Sequence, residues 1–266
     1  MDCLISKETH RRERILVLCG GQRTLLMQLA HPLVAQAISD HSSFKKNPLE
    51  RLKHTRELMS TLMFGTKEEV FEAARKINNA HKPVKGNLEQ AIGAHDARTP
   101  YNAKDPELTI WVWATFTDSS LLVYDKFVRP LSHNERKEFY QEAKRVLPLL
   151  GRKTEDAPST VEDFSSYKKE MVQTGKVTVS QQARELAPYL MLQKSPITKL
   201  LTPPLSRITV GLLPEELRSQ YGFSWNPAEQ KILDIIAAIC RQVNPYIPDK
   251  LRFSPKYLES RKIIES

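Results

Sequence analysis

Along this chain, hydrophobic residues recur every third or fourth position far more often than every second. Val70, Ala74 and Ile77 form one such stripe, Phe164, Tyr167 and Met171 form another, and Leu108 to Tyr124 is apolar nearly throughout. A spacing of three to four turns one face of a helix toward a core, whereas a half-buried strand needs strict alternation. Polar punctuation agrees. Asn47-Pro48-Leu49-Glu50, Thr66-Lys67-Glu68-Glu69, Ser132-His133-Asn134-Glu135 and Asn226-Pro227-Ala228-Glu229 each set a capping side chain three residues before a glutamate. In that arrangement both residues satisfy first-turn N–H groups. Asp105-Pro106 opens a further helix with a carboxylate at its positive end. Gly65, Gly86, Gly151, Gly175 and Gly222 follow helical patterns and read as stops.

The pattern predicts an all-α protein: a single-domain helical bundle over 1–245 and a charged, proline-containing surface tail over 246–266. Helices are expected near 12–30, 32–40, 48–64, 67–82, 106–130, 133–149, 161–174, 179–193, 204–212, 214–221 and 227–243. Pro32 splits the first apolar run, because proline disfavours α geometry in the residue before it. The segment 83–104 is the longest irregular stretch, and loops of that length are often functional.

Composition narrows the class. A chain of 266 residues is long enough to bury a core and a ligand pocket within it. Forty basic against 31 acidic residues give a net charge of +9 and a pI near 9.4, which favours anionic partners. Cys3, Cys19 and Cys240 are few and widely spaced, with no zinc-ligand or haem-attachment spacing, so a reducing compartment is expected. The N-terminus lacks the apolar segment of a signal peptide. Leu108–Tyr124, interrupted by Asp118, reads as a buried helix rather than a membrane span. The expected location is cytoplasmic, peripheral to an intracellular membrane if the positive charge engages one.

The stripe Val70, Ala74, Ile77 continues to His81, just ahead of Pro83 and Gly86. Such an imidazole is either a histidine favoured by the negative end of the helix dipole or a ligand aimed at a metal. Arg51, His54 and Thr55 stand at i, i+3 and i+4 and share one helix face. A guanidinium, an imidazole and a hydroxyl together can hold an anion, orient a small polar ligand or move a proton. The plain alternative is a solvated face, since Lys53, Arg56 and Glu57 lie on the same helix. An antiparallel hairpin turning at Gly65 brings Arg51, His54, Thr55 and His81 around one pocket.

His31, before Pro32, either caps the second helical segment or lines a pocket. Trp111 and Trp113 leave their helix on different sides, so one packs in the core and the other can wall a cavity. Asp118 is costly to bury unless paired, and Arg23 is its expected partner. No dinucleotide fingerprint, P-loop, zincin, nucleophile-elbow or kinase signature occurs. The basic N-terminal run lacks any nucleic-acid-binding context, so nucleic acid is not an expected partner.

Six stretches, GGQRTLLMQLAHPLVAQAISDHSSF, PLERLKHT, LMFGT, AHKPVKG, DPELTIWVWATFTDS and LLPEELRSQYGFSW, together resemble one family in order and spacing. It contains the catalytic domain of bacterial rubber oxygenase (latex clearing protein) and the endoplasmic-reticulum-bound oxygenase of the fungal mycophenolic acid pathway. The resemblance covers roughly residues 15 to 240. It implies a globin-like helical core around non-covalently held haem b. Dioxygen is then the co-substrate, and the reaction is oxidative cleavage of a carbon–carbon double bond in an apolar prenyl or polyketide-like molecule, as in secondary metabolism.

In rubber oxygenase an Arg-x-x-Lys-Thr pattern contributes to the distal pocket and a later histidine ligates iron. Arg51-Leu52-Lys53-His54-Thr55 is similar to the first pattern, with His54 in place of lysine. Ala74 to His81 is similar to the second. The resemblance therefore implies His81 as the iron ligand, Arg51, His54 and Thr55 as catalytic residues, and Arg51, His31 and Trp113 beside the cofactor. It further implies Lys53, Arg56 or Lys85 on the propionates, and a substrate pocket behind Met59, Trp113 and Phe116. Many relatives carry His-Ala-Thr where this chain has Trp113-Ala114-Thr115. That departure sustains a rival expectation, a haem-free natural-product-binding cyclase or isomerase on the same fold. A second rival is a non-enzymatic helical binding protein at a membrane surface.

Overall fold

The structure is a computed structural model and describes residues 13–42, 48–191 and 202–265. Thirteen helices are present among them: α1 (Arg14–Leu29), α2 (Pro32–His41), α3 (Pro48–Phe64), α4 (Lys67–His81), α5 (Pro106–Val123), α6 (His133–Lys144), α7 (Val161–Gln173), α8 (Gln181–Leu190), α9 (Thr202–Leu212), α10 (Glu215–Gln220), α11 (Pro227–Val243), α12 (Asp249–Arg252) and α13 (Pro255–Glu265). Two three-residue strands, β1 (Lys85–Asn87) and β2 (Pro100–Asn102), pair antiparallel between α4 and α5. The fold is all-α.

The predicted starts hold where they are described. Thr66 with Glu69, Ser132 with Glu135 and Asn226 with Glu229 each form a reciprocal capping box. The Asp105 carboxylate accepts the N–H groups of Glu107 and Leu108 at 2.8 and 3.3 Å. Each such cap contributes roughly 1 kcal/mol. Asn47 lies outside the described residues.

α1 and α5 are the central pair, and both are apolar around most of their circumference. Leu26, Ala30, Trp111 and Ala114 are fully buried, and α2, α8 and α9 close over them. The expected ion pair lies inside this packing. Arg23 donates to Asp118 Oδ2 and Ser119 Oγ at 2.6 Å and to the Leu212 carbonyl at 2.7 Å, and Lys168 also binds Asp118. Burial alone would raise the Asp118 pKa, but the two cations outweigh it and hold the carboxyl below its ordinary value. The carboxylate joins α1, α5 and α7, and the Arg23 guanidinium extends the network to α9.

Three features depart from the sequence pattern. First, α5 ends as a helix at Val123 and continues as a wider π-turn over Tyr124–Val128, while α6 stops at Lys144 and a tight turn containing Pro148 follows. Secondly, 83–104 is not irregular throughout. Gly86 is no helix stop: it lies in β1, where a Cβ would sit 2.4 Å from the Tyr101 hydroxyl. That hydroxyl donates to Asp40 at 2.5 Å, so glycine lets the ring lie flat against the strand.

Thirdly, 246–266 is not simply a surface tail. It folds as α12 and α13, and Phe253 and Tyr257 are buried against Phe64 at the end of α3. Phe253 lies in extended backbone between the two helices, bridged to Glu13, and Tyr257 in the first turns of α13, so no helical spacing in the sequence announces the pair. No helix among the described residues is long and apolar enough to cross a membrane.

Candidate functional site

The α3–α4 hairpin carries most of the predicted site. Val70, Ala73 and Ala74 on α4 are buried against Leu58, Met59 and Leu62 of α3, with Leu149 beneath them. Asn78 adds a hydrogen bond from its amide to the Leu149 carbonyl at 3.2 Å. This packing fixes the rotation of α4, and the hairpin turn at Gly65 sets Arg51 and His81 together at its opposite end.

The chain beyond His81 closes over that end. The His81 carbonyl accepts from Val84 N–H at 3.1 Å, and the Val84 carbonyl accepts from Ala103 N–H at 3.0 Å. The β1–β2 ladder thereby returns Lys104 to the neighbourhood of His81. The His41 ring Nε2 lies 3.1 Å from the Lys85 carbonyl and ties α2 to the same hairpin.

The His81 pKa is lowered, first by burial and then by the positive charges of Arg51 and Lys104. Yet the residue has ample solvent-accessible surface. Both statements hold for a ring that water reaches while nearby protein and positive charge still disfavour its protonation. Arg51 shows the same combination: it is exposed, and its guanidinium pKa is lowered by burial. Its Nη1 donates to Thr55 Oγ1 at 2.6 Å, and the Thr55 hydroxyl donates to the Arg51 carbonyl at 2.9 Å. Thr55 thus fixes the guanidinium on the helix and leaves the remaining N–H groups for a ligand. His54 is exposed on the same helix and has no hydrogen bond among the described residues.

Other expected site residues lie elsewhere. Trp113 is buried between Tyr140 and Phe164, with ring centroids 5.8 and 5.7 Å away, and its indole N–H donates to the Ala143 carbonyl at 2.9 Å. Its polar atom is satisfied by backbone and its faces by aromatic rings, so it is a core residue and not a cofactor contact. Met59 packs in the separate α3–α4 cluster, so Met59 and Trp113 do not back one pocket. Lys53 is engaged with Glu57 at 4.0 Å.

His31 is 1 % exposed and stands at the start of α2, but its side chain makes no capping hydrogen bond. Neither ring nitrogen has a partner among the described residues. Its nearest ring is His95, with centroids 5.2 Å apart, and its pKa is pushed down to about 3 by burial, then by His95 and Lys176. His95 in turn lies 2.9 Å through Nε2 from the Lys176 carbonyl. The turn carrying His95 needs glycine at Gly93, where φ is +58° and a Cβ would lie 2.1 Å from the Gly175 carbonyl.

Lys104 and His95 were not legible as site neighbours. Both belong to the segment between α4 and α5, and only its hairpin path brings them near histidines far away in sequence.

Chemically, the hairpin end offers a neutral imidazole with no hydrogen bond among the described residues and two cations in reach. Neutral imidazole ligates metals, and a guanidinium with an ammonium recognises carboxylates or a developing oxyanion. No group of three or more His, Cys, Asp or Glu among the described residues could itself hold a metal ion.

Comparison with known proteins covers nearly all of this architecture. Residues 8–242 match the family model described as "ER-bound oxygenase mpaB/B'/Rubber oxygenase, catalytic domain". The uncharacterized proteins Mb2261 of Mycobacterium bovis and Rv2237 of Mycobacterium tuberculosis are each 24% identical over 236 residues, spanning 85% of this chain and 88% of the relative. No solved structure matches.

Proposed function

The chain belongs to the ER-bound oxygenase/rubber oxygenase catalytic-domain family, and from that premise we propose that it is a haem b-dependent oxygenase. Its substrate is an apolar prenyl or polyketide-like molecule, cleaved oxidatively at a carbon–carbon double bond with dioxygen. The observation that carries this reading is His81: a solvent-reached imidazole with no hydrogen bond among the described residues, its pKa lowered by burial and by the charges of Arg51 and Lys104.

The residues present suit the group. A porphyrin brings four nitrogen ligands and needs one protein imidazole, which matches a single histidine without a protein ligand cluster. Its carboxylates need cations, and Arg51 and Lys104 are the two whose charge reaches His81. Lys104 joins Lys53, Arg56 and Lys85 as a candidate for this role, because its charge reaches His81. When bound, haem supplies the dioxygen redox chemistry.

The chain's own contribution is positioning. The lowered pKa keeps His81 neutral at pH 7 and available through a ring nitrogen. The buried stripe of α4 holds its backbone so that the ring meets solvent. Thr55 locks the Arg51 guanidinium, whose free N–H groups can stabilise an oxygen as it gains negative charge. His54, exposed and without a hydrogen bond, can give or take a proton at the solvent side of the same helix.

Titration of purified protein with hemin, followed by visible absorption, tests this assignment. A saturable Soret band that is lost or altered in ligation in His81→Ala supports it, and oxygen consumption with prenylated substrates is the next measurement. Absence of specific uptake by the wild type overturns it. It would bring forward the haem-free natural-product enzyme, the reading that Trp113, packed in the core where many relatives have a histidine, favours.

A further inference from the structure

Ten large hydrophobic side chains are exposed among the described residues, and eight come from the start of α1, from α11 and from residues 246–251 after it. On α11, Ile232, Ile235, Ile239 and Val243 are each at least half exposed and follow helical spacing. They make a stripe about 16 Å long at 1.5 Å per residue. The opposite side of α11 is already used: Leu233 and Ala237 are buried in the core, with Ile236 and Cys240 packed against it. The outer isoleucines leave more than half of their surface to solvent.

The stripe has neighbours. Asn244, directly after α11, donates to the Glu13 carboxylate at 3.5 Å, so the start of α1, with exposed Val17 and Leu18, lies near the C-terminal end of α11. Arg14 donates to the carbonyls of Phe253 and Lys250 at 2.6 Å, which sets exposed Leu251 next to the same end of α1. Tyr246, the most exposed of these side chains at 86 %, stands just beyond Val243. Scattered exposed apolar residues are ordinary, but a concentration of this kind marks an interaction surface.

Charge selects the partner. Lys231, Arg241 and Lys250 belong to the elements that carry the patch, together with Arg14. The acidic residues there are neutralised: Asp234 by Lys126, Asp249 by Arg261 and Glu13 by Arg252. A second copy docking on this face would set its basic rim against an identical rim, which repulsion opposes. An anionic lipid surface would instead attract the rim and accept the isoleucines below its headgroups. A tyrosine at the end of the stripe suits the headgroup level, where amphipathic rings settle.

We propose that the face formed by α11, the start of α1 and residues 246–251 docks the protein on anionic membranes. The surface lies outside the His81 site and does not depend on haem.

Flotation with phosphatidylcholine vesicles, with and without phosphatidylserine, tests this on the full chain. The wild type is expected to float with the anionic vesicles and to be released by raised salt. Ile235→Glu combined with Ile239→Glu is expected to cut binding at least ten-fold, and Val17→Glu with Leu18→Glu to weaken it as well. All four positions are exposed, and unchanged circular dichroism would show that the variants fold. No binding by the wild type, or equal binding by both variants, overturns the proposal. So does light scattering that shows a wild-type dimer abolished by Ile235→Glu/Ile239→Glu, because the face is then a contact between copies.

Discussion

His31 and His81 are both histidines at the edge of an apolar run, yet the fold treats them oppositely. His31 is sealed between α1, α2 and the His95 turn, with neither nitrogen bonded among the described residues and its pKa lowered to about 3. His81 is reached by solvent and lies under the charge of Arg51 and Lys104. Both rings are neutral at pH 7, but only His81 is placed to meet an incoming group. Neutrality alone therefore does not identify a ligand; accessibility and the charges nearby separate the two.

The sharpest contrast between sealed core and solvent-reached site is electrostatic. Arg23→Ala strands the buried Asp118 beside a single remaining cation and is expected to cost roughly 3–5 kcal/mol in chemical denaturation. Arg51→Ala, on the open hairpin, is expected to cost under about 1 kcal/mol in the same measurement. Comparable losses would mean that Arg51 is structural, and the assignment of this end of the hairpin as a site would fail.

The next effect belongs to His31. Its pKa is near 3 when folded and 6.5 when unfolded, so between those values only the unfolded state binds its proton. Stability from this residue is complete above pH 6.5 and falls as the pH drops toward 3, by at most about 1.4 kcal/mol per unit. His31→Leu is expected to flatten the pH dependence of the denaturation midpoint over that window. An unchanged slope would show that His31 finds a proton partner in solution.

Haem then divides the two residues directly. His81→Ala is expected to lower hemin affinity by at least ten-fold or to change the Soret position, whereas His31→Leu should leave both unchanged. The reverse pattern would move the ligand to His31. The smallest effect concerns Arg51 and His81 together. Arg51→Gln removes a positive charge that lowers the His81 pKa, so the acid midpoint for loss of hemin should rise by a fraction of a pH unit. A midpoint that stays or falls would place Arg51 too far away to act.

Much of the fold was readable because it rests on short-range chemistry. Thr66, Ser132 and Asn226 announce helix starts through groups three residues away, and Asp118 inside an apolar helix demands a cation that Arg23 provides. The Arg51–Thr55 bond is likewise a matter of helical spacing. What escaped the sequence involves chain reversals and distant packing. Lys104 reaches His81 only through the β1–β2 hairpin, His95 meets His31 only because Gly93 fits against Gly175, and Phe253 with Tyr257 reads as tail until it packs on Phe64. Trp113 illustrates the limit from the other side, for nothing local distinguishes a cavity wall from a ring held between Tyr140 and Phe164.

The sequence by itself determined an all-α chain, most of its helix boundaries and the family likeness, because capping and amphipathic period act within a few residues. Which histidine faces solvent, which cations accompany it and which apolar face is left uncovered were decided only by tertiary structure. These depend on contacts between residues far apart in the chain, whose partners no local pattern encodes.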